Sequence, residues 1–206
     1  MRHIPLLALL VGCAEPVIGD GLLVEDARAL SGFTSVETYG VNVRVALGEA
    51  DDVVINTDSN VQPYVLTSIE DGVLRIEADG ELYPSALTAL VVVESLESVG
   101  NYDGADMWVS GIDSDTFTVQ ASGNGNTELL GEVDTLDIIS TGAGVRNASE
   151  LTASMVTINM SGAGTAWITA LDSIEGDISS ESILNVFGDP VRKAVTSDSA
   201  SEIVYY

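Results

Sequence analysis

The chain has 206 residues, enough for one or two domains, and a formal net charge of −25 from 7 basic against 32 acidic side chains. That balance excludes a nucleic-acid binder, which needs Lys and Arg to neutralise phosphates, and a protein that docks electrostatically on anionic lipid. The acids are spread along the chain, as on a solvated surface that repels its neighbours, and the Gly-Gly-x-Gly-x-Asp frame of calcium-binding repeats is absent, so no metal ligands are assigned. The single Cys, Cys13, and the single His, His3, both stand at the N-terminus. They leave no intramolecular disulfide and no Cys or His in the folded region for nucleophilic catalysis or soft metal binding. No cofactor is implied.

In chain order, Arg2 is followed by an apolar run from Ile4 to Val11, too short to span a bilayer. It reads as a secretory signal over residues 1–12. Leu10-Val11-Gly12-Cys13 resembles the lipobox of bacterial lipoproteins. That resemblance implies cleavage before Cys13, a lipid on Cys13 and, because Ala14 rather than Asp follows, sorting to the outer membrane. The expectation is an exported protein whose membrane partner is reached through the Cys13 lipid, at the outer membrane or cell surface. Residues 13–26 hold Pro16 and Gly21 and no strong period, and are expected to form a tether. The folded domain is expected over 27–206.

From Phe33 to Ser95 the pattern is β. Val41, Val43 and Val45 form one strand and Val53–Ile55 a second, while Asn60–Tyr64, with Pro63, suits a single helical turn. Asp71-Gly72 between Leu66–Ile69 and Val73–Ile76 is a hairpin signal. The continuous apolar run Ala89–Val93 is expected to be buried on both faces. No long stretch holds a 3.6 period, so almost no helix is expected. No Pro/Gly/Ser linker interrupts Leu96-Glu97-Ser98, so this β-rich part should be continuous with the C-terminal half of the chain.

That C-terminal half is repetitive. Ser122-Gly123-Asn124-Gly125, Thr141-Gly142-Ala143-Gly144 and Ser161-Gly162-Ala163-Gly164 recur at a period of roughly 19–20 residues, the mark of a stacked architecture. Degenerate copies begin at Tyr102, Ser179 and Thr196. With each hydroxyl residue as reference, position +7 holds Val109, Leu129, Ala148, Ile168, Val186 and Ile203. Position −5 holds Phe117, Leu136, Val156, Ile174 and Val191. Position −3 holds Val99, Val119, Ile138, Ile158, Gly176 and Lys193, and position −1 holds Asn101, Ala121, Ser140, Met160, Ile178 and Val195. Alternation within a copy, with the same column staying apolar between copies, predicts parallel strands stacked in register around a shared interior. The fold class predicted is all-β, a parallel β-helix or solenoid with coils of about 18–20 residues. The pairs Gly123/Gly125, Gly142/Gly144 and Gly162/Gly164 are read as corners and not as a phosphate loop, because no Lys and no helix pattern follow them.

Gly32-Phe33-Thr34-Ser35-Val36, the alternating Val41–Val45, Asp71-Gly72-Val73-Leu74-Arg75-Ile76 and the serial Ser-Gly-x-Gly turns together resemble the bacterial head GIN domain family, whose members are labelled putative auto-transporter adhesins. The resemblance covers roughly Ala27 to Tyr206. It implies a right-handed β-helical fold and an exported or lipid-anchored protein. The corners at 102–105, 179–182 and 196–199 lack the paired glycines, as terminal coils do.

The outward columns give the candidate ligand face: Gln120, Asn159 and Asp177 in one row with Ile139, and Asp137 and Glu175 in the next with Thr118 and Thr157. Short hydrogen-bonding groups on a flat ladder suit a carbohydrate or an envelope protein, so a non-catalytic binding or adhesion module is the leading reading. A polysaccharide-active enzyme is the alternative. Its weakness is the scarcity of bases: after Arg75 only Arg146, Arg192 and Lys193 remain, and Arg146 is expected to snorkel out of its corner and not to act as a lyase base. No catalytic residue is assigned. Self-association through the apolar end strand Ile203–Tyr206 is a third reading.

Overall fold

The computed structural model describes residues 15–206, so the signal segment and Cys13 lie outside the described residues. The chain is all-β, with 69% of residues in strands, 2% helical, and a β-solenoid of about 5 turns. The N-terminal strands are β1 (Val17–Ile18), β2 (Leu23–Arg28), β3 (Ser35–Tyr39), β4 (Asn42–Leu47), β5 (Asp52–Asp58), β6 (Val65–Glu70), β7 (Val73–Ala78), β8 (Leu82–Tyr83) and β9 (Leu87–Val93). The coils continue as β10 (Ser98–Tyr102), β11 (Met107–Gly123), β12 (Thr127–Gly142), β13 (Val145–Ser161), β14 (Thr165–Ser179), β15 (Ile183–Phe187), β16 (Arg192–Ser197) and β17 (Glu202–Tyr205). The expected helical turn is Gln62–Tyr64, with Pro63 in its first turn. No helix of the described residues is long and apolar enough to cross a membrane.

The N-terminal part supplies the first two layers of the solenoid: β7 and β9 pair in parallel with β3 and β4. β3 pairs in parallel with β10, and β4 with β11. One interior column therefore runs Leu74, Val36, Val99, Val119, Ile138, Ile158, Gly176 and Val195, each residue directly paired with the next. A second runs Phe117, Leu136, Val156 and Ile174, all buried. The Asp71-Gly72 hairpin forms as expected, with φ of 49° and 79° at its two central residues, between the antiparallel pair β6 and β7.

Four expectations are corrected. Residues 13–26 are not wholly a tether: β1 pairs with β8, and β2 covers the edge of β5 antiparallel. The buried Asp58 carboxylate holds this segment, accepting from the Gly21 N–H at 2.7 Å, the Ser85 N–H at 2.5 Å and the Ser85 hydroxyl at 3.0 Å. Second, Ala89–Val93 is buried on one face only. Leu90 is 45% exposed, because no layer covers the outward side of β9.

Third, the last coil is displaced by two residues from the reading by hydroxyl positions. Asp177 pairs with Thr196, Ile174 with Lys193, Gly176 with Val195, and Leu184 with Ile203. Val191 is consequently 93% exposed instead of buried in the −5 column. This coil has no glycine pair to anchor its register, and several hydroxyl residues compete as reference points.

Fourth, Arg146 does not snorkel out. It lies in the interior column Met107–Thr127–Arg146–Ala166, 1% exposed. The small Thr127 and Ala166 on neighbouring rungs leave room for its length. Its Nε donates to the Ser140 hydroxyl at 3.1 Å, and Nη1 to the Gly125 and Val145 carbonyls, while Nη2 finds no partner. Burial lowers its pKa to about 10, so the guanidinium still carries its charge at neutral pH.

Ile138 and Ile158 are directly paired and buried, whereas Ile139 is 50% exposed. Ile138→Ala or Ile158→Ala should cost about 2–5 kcal/mol in denaturant unfolding, the range for large-to-small core changes. Ile139→Ala should stay within roughly 1 kcal/mol. A larger loss at Ile139 than at its neighbour would overturn the register.

Burial pushes the Asp58 carboxyl pKa up, but the hydrogen bonds from Ser85 and Gly21 outweigh it and hold it below the ordinary 3.8. A carboxyl depressed in the folded state contributes stability that is fully present above its unfolded pKa and lost as pH falls through the folded one. Asp58→Asn should therefore lower Tm most at neutral pH, and the gap to wild type should narrow as the pH drops below 3.8. A gap that stays constant across that range would refute the linkage.

Candidate functional site

The candidate face is built by coil stacking. The row Arg75, Glu37, Gly100, Gln120, Ile139, Asn159, Asp177 and Thr196 is a continuous set of directly paired residues. The adjacent row is Ser35, Ser98, Thr118, Asp137, Thr157 and Glu175. All five expected ligand-face residues thus share one sheet face: Gln120, Asn159 and Asp177 in the first row, Asp137 and Glu175 in the second. Neighbouring groups within a row are about 4.8 Å apart, the strand spacing of any sheet.

The two glycines of each corner meet two needs. The first takes positive φ: 86° at Gly123, 107° at Gly142 and 105° at Gly162. Close approach of the preceding rung constrains both positions. A Cβ on Gly125 would fall on the Ala105 carbonyl, and one on Gly144 would meet both the Gly125 carbonyl and the Arg146 guanidinium, while one on Gly142 would strike the Gly123 carbonyl and one on Gly162 the Gly142 carbonyl. The first residue turns the chain, and both let the next rung sit at strand distance. At the degenerate corner Ser180 and Glu181 accept φ of 65° and 70°. Ser182 replaces the second glycine there, donating to the carbonyls of Gly162 and Ser179.

The face differs along its length. At the C-terminal end its acids are already engaged: Glu175 pairs with Arg192 at 3.0 Å, and Asp177 accepts from the Thr196 hydroxyl. At the N-terminal end lies a groove of about 590 Å³ lined by Ser35, Ser98, Thr116, Thr118, Gln120, Glu97 and Asp115. Ser98 donates to Ser35 across it at 2.7 Å. Of the expected face residues only Gln120 lines this groove.

Beside the groove stands a group that the repeat pattern alone did not bring out. Tyr39 and Tyr102 are directly paired and stacked, ring centroids 4.7 Å apart. The Arg75 guanidinium lies 5.3 Å over Tyr39, and the Tyr102 hydroxyl reaches the Gln120 amide oxygen at 3.4 Å. Gly100 makes the space: a Cβ there would meet the Tyr102 ring. Burial, and then the Glu37 carboxylate that accepts its hydroxyl proton, push the Tyr39 pKa up to about 12. The phenol is thus a proton donor across the whole physiological range. The available signal was the shared column: Tyr102 stands where later coils carry Ser or Thr, and β3 carries Tyr39 at the same register.

No three His, Cys, Asp or Glu side chains among the described residues converge on a point where a metal ion could be held. The face presents hydroxyls, amides, carboxylates and two phenols, which is an arrangement for hydrogen bonding and stacking.

These features define a β-solenoid with a polar, flat lateral face. Residues 32–190 match the family described as Putative auto-transporter adhesin, head GIN domain. The chain belongs to that family.

Among solved structures, a putative adhesin from Bacteroides fragilis is similar at a TM-score of 0.77 and 15% identity, over 92% of this chain and 100% of that one. A putative lipid binding protein from Parabacteroides distasonis is similar at 0.63 and 14%, over 92% and 100%. A putative adhesin from Parabacteroides merdae is similar at 0.56 and 16%, over 94% and 100%. At such identities the likeness is one of fold. A search of curated proteins finds no match to the sequence.

Proposed function

We propose that this protein is a non-catalytic binding module of the cell envelope, held on the membrane by a lipid on Cys13, and that its lateral ladder binds carbohydrate. The observation that carries the reading is the in-register ladder itself, from the Tyr39–Tyr102 stack and the Ser/Thr/Gln groove through Asp137 and Asn159. A pyranose presents an apolar C–H face to a stacked ring and hydroxyls to its rim. The rows offer donors and acceptors at a spacing close to the rise of one sugar unit. The family name and the two putative adhesins among the similar structures support a surface role.

Glycan-array binding of the folded domain, with and without Ca²⁺, tests the reading. Gln120→Ala combined with Asp137→Ala should weaken the bound glycan's signal and leave the circular dichroism spectrum unchanged, whereas Asp177→Ala, whose carboxylate already accepts from Thr196, should have the smaller effect. New reducing ends or unsaturated products would instead establish an enzyme. Equal loss of binding from acids on other faces would reduce the effect to diffuse charge.

The anchor is tested separately. Cys13→Ala should abolish labelled-palmitate incorporation and leave the protein unprocessed or soluble. Labelling that persists in the variant would remove the lipoprotein reading.

A further inference from the structure

Among the described residues, the large apolar side chains that are more than half exposed are Ile18, Leu22, Leu23, Tyr83, Val191 and Tyr206. Val191 and Tyr206 belong to the final coil. Ile18, Leu22 and Leu23 closely follow Cys13 in sequence, and Tyr83 is directly paired with Ile18.

The fold imposes this exposure. In the β1–β8 pair Val17 stands opposite Leu82 and Ile18 opposite Tyr83. Val17 and Leu82 pack against the core, so alternation sends Ile18 and Tyr83 outward side by side. The chain then passes over the buried Asp58. Gly19 lies against its carboxylate, and the Gly21 N–H donates to it. Leu23 is directly paired with Asp58, and paired residues point to the same side of a sheet, so Leu23 flanks that carboxylate. The Asn60 side chain holds the same turn, donating to the Ile18 carbonyl at 2.7 Å and accepting from the Asp20 N–H at 3.0 Å. The Ser59 N–H donates to the Leu22 carbonyl at 2.8 Å. The clamp at 58–60 thus gathers Ile18, Leu22 and Leu23 beside Tyr83. It satisfies backbone groups inside the protein and leaves the apolar side chains outside.

Position in the chain decides what reaches this patch. β1 begins four residues after Cys13, a span of about 14 Å when fully extended. With a lipid on Cys13 the bilayer lies within that reach, and contact with it becomes an intramolecular event. The chemistry of the patch agrees. Arg28, the nearest basic residue in sequence, is turned to Asp26 and Thr67. The Asp20 carboxylate is taken by the Ser59 hydroxyl and the Leu22 N–H, and Glu81 accepts from the Tyr83 hydroxyl. Tyr83 therefore presents an apolar ring with a polar tip, the form suited to a membrane–water boundary. A net charge of −25 opposes an anionic surface, which leaves a zwitterionic one.

We propose that Ile18, Leu22, Leu23 and Tyr83 form a membrane-contact patch that seats the N-terminal end of the solenoid on a zwitterionic bilayer beside the anchor. The proposal rests on the Cys13 reading for what brings the bilayer there, and not on the carbohydrate ladder. Val191 serves as an internal comparison. It is at least as exposed, but it belongs to the coil at the far end of the stack, beyond β14 and β15.

The test couples the unlipidated processed protein, residues 13–206, through its single thiol to maleimide-bearing phosphatidylethanolamine in phosphatidylcholine vesicles. This reproduces the tether whether or not a cell acylates Cys13. A diazirine-bearing phosphatidylcholine in the same vesicles, photolysed and mapped by mass spectrometry, reports which residues touch acyl chains. The expected result is adducts on Ile18–Leu23 and on Tyr83, with Val191 at background. Ile18→Ser combined with Leu22→Ser should cut the Tyr83 adducts about tenfold at unchanged coupling. Both side chains are exposed, so circular dichroism should show the fold retained. Equal adducts at Val191 and Tyr83, or no loss in the double variant, would overturn the proposal. So would a gain on adding phosphatidylglycerol, which marks electrostatic docking. Concentration-dependent association of the uncoupled protein that the double variant abolishes would assign the patch to a second copy instead. Palmitate labelling of Cys13 is read in a different experiment, so failure of the anchor and failure of the patch are separable.

Discussion

The structure depends on one constraint: each rung must lie at strand distance on the one below, all the way around the coil. Along the straight segments the backbone hydrogen-bond ladder ensures this. At the corners single backbone bonds, such as that from the Ala143 N–H to the Gly123 carbonyl, still link the rungs, but side chains would hold them apart. Glycines at the corner positions remove that obstacle where a Cβ would strike the carbonyl of the preceding rung. Once the corners are closed, register follows for the residues between them. The columns from Leu74 to Val195 are the consequence.

Stacking in register turns a local property into a long-range one. An outward residue on one coil gains neighbours from coils about twenty positions away, so short polar groups become rows. The same arithmetic acts inside. Arg146 enters the interior because its position has inward parity, and it is accommodated because the residues above and below it are small. A buried cation without a carboxylate is costly, and its bonds to Ser140, Gly125 and Val145 offset part of that cost. Those bonds also tie two rungs together at the glycine corner.

The solenoid also leaves sheet faces without a second layer. Leu90, Trp108 and Trp167 look outward because nothing among the described residues folds back over β9, β11 or β14. An apolar or aromatic side chain in that setting is available to a partner. The tyrosine stack on the other face arises in the same way, with Gly100 leaving space beside it.

The sequence by itself determined the repeat, the strands, the near absence of helix and the inward columns of the central coils. These depend on periodicity and on paired glycines, which are local signals. The inward place of Arg146 was legible in the same way: it sits two residues before the inward Ala148, so it shares that residue's parity. Only the tertiary structure decided four matters. The last coil's register was one, because without a glycine pair several alignments satisfy the same hydroxyls. The open face of β9 was another, since an apolar run has the same composition whether one side or two are covered. The place of β2 depended on the free edge of β5 and on Asp58, residues distant in sequence. The last was the stacking of Tyr39 on Tyr102 and the alignment of Trp108 and Trp167 in one row. Which residues become neighbours across coils depends on where each corner turns, and that is settled only when the rungs stack.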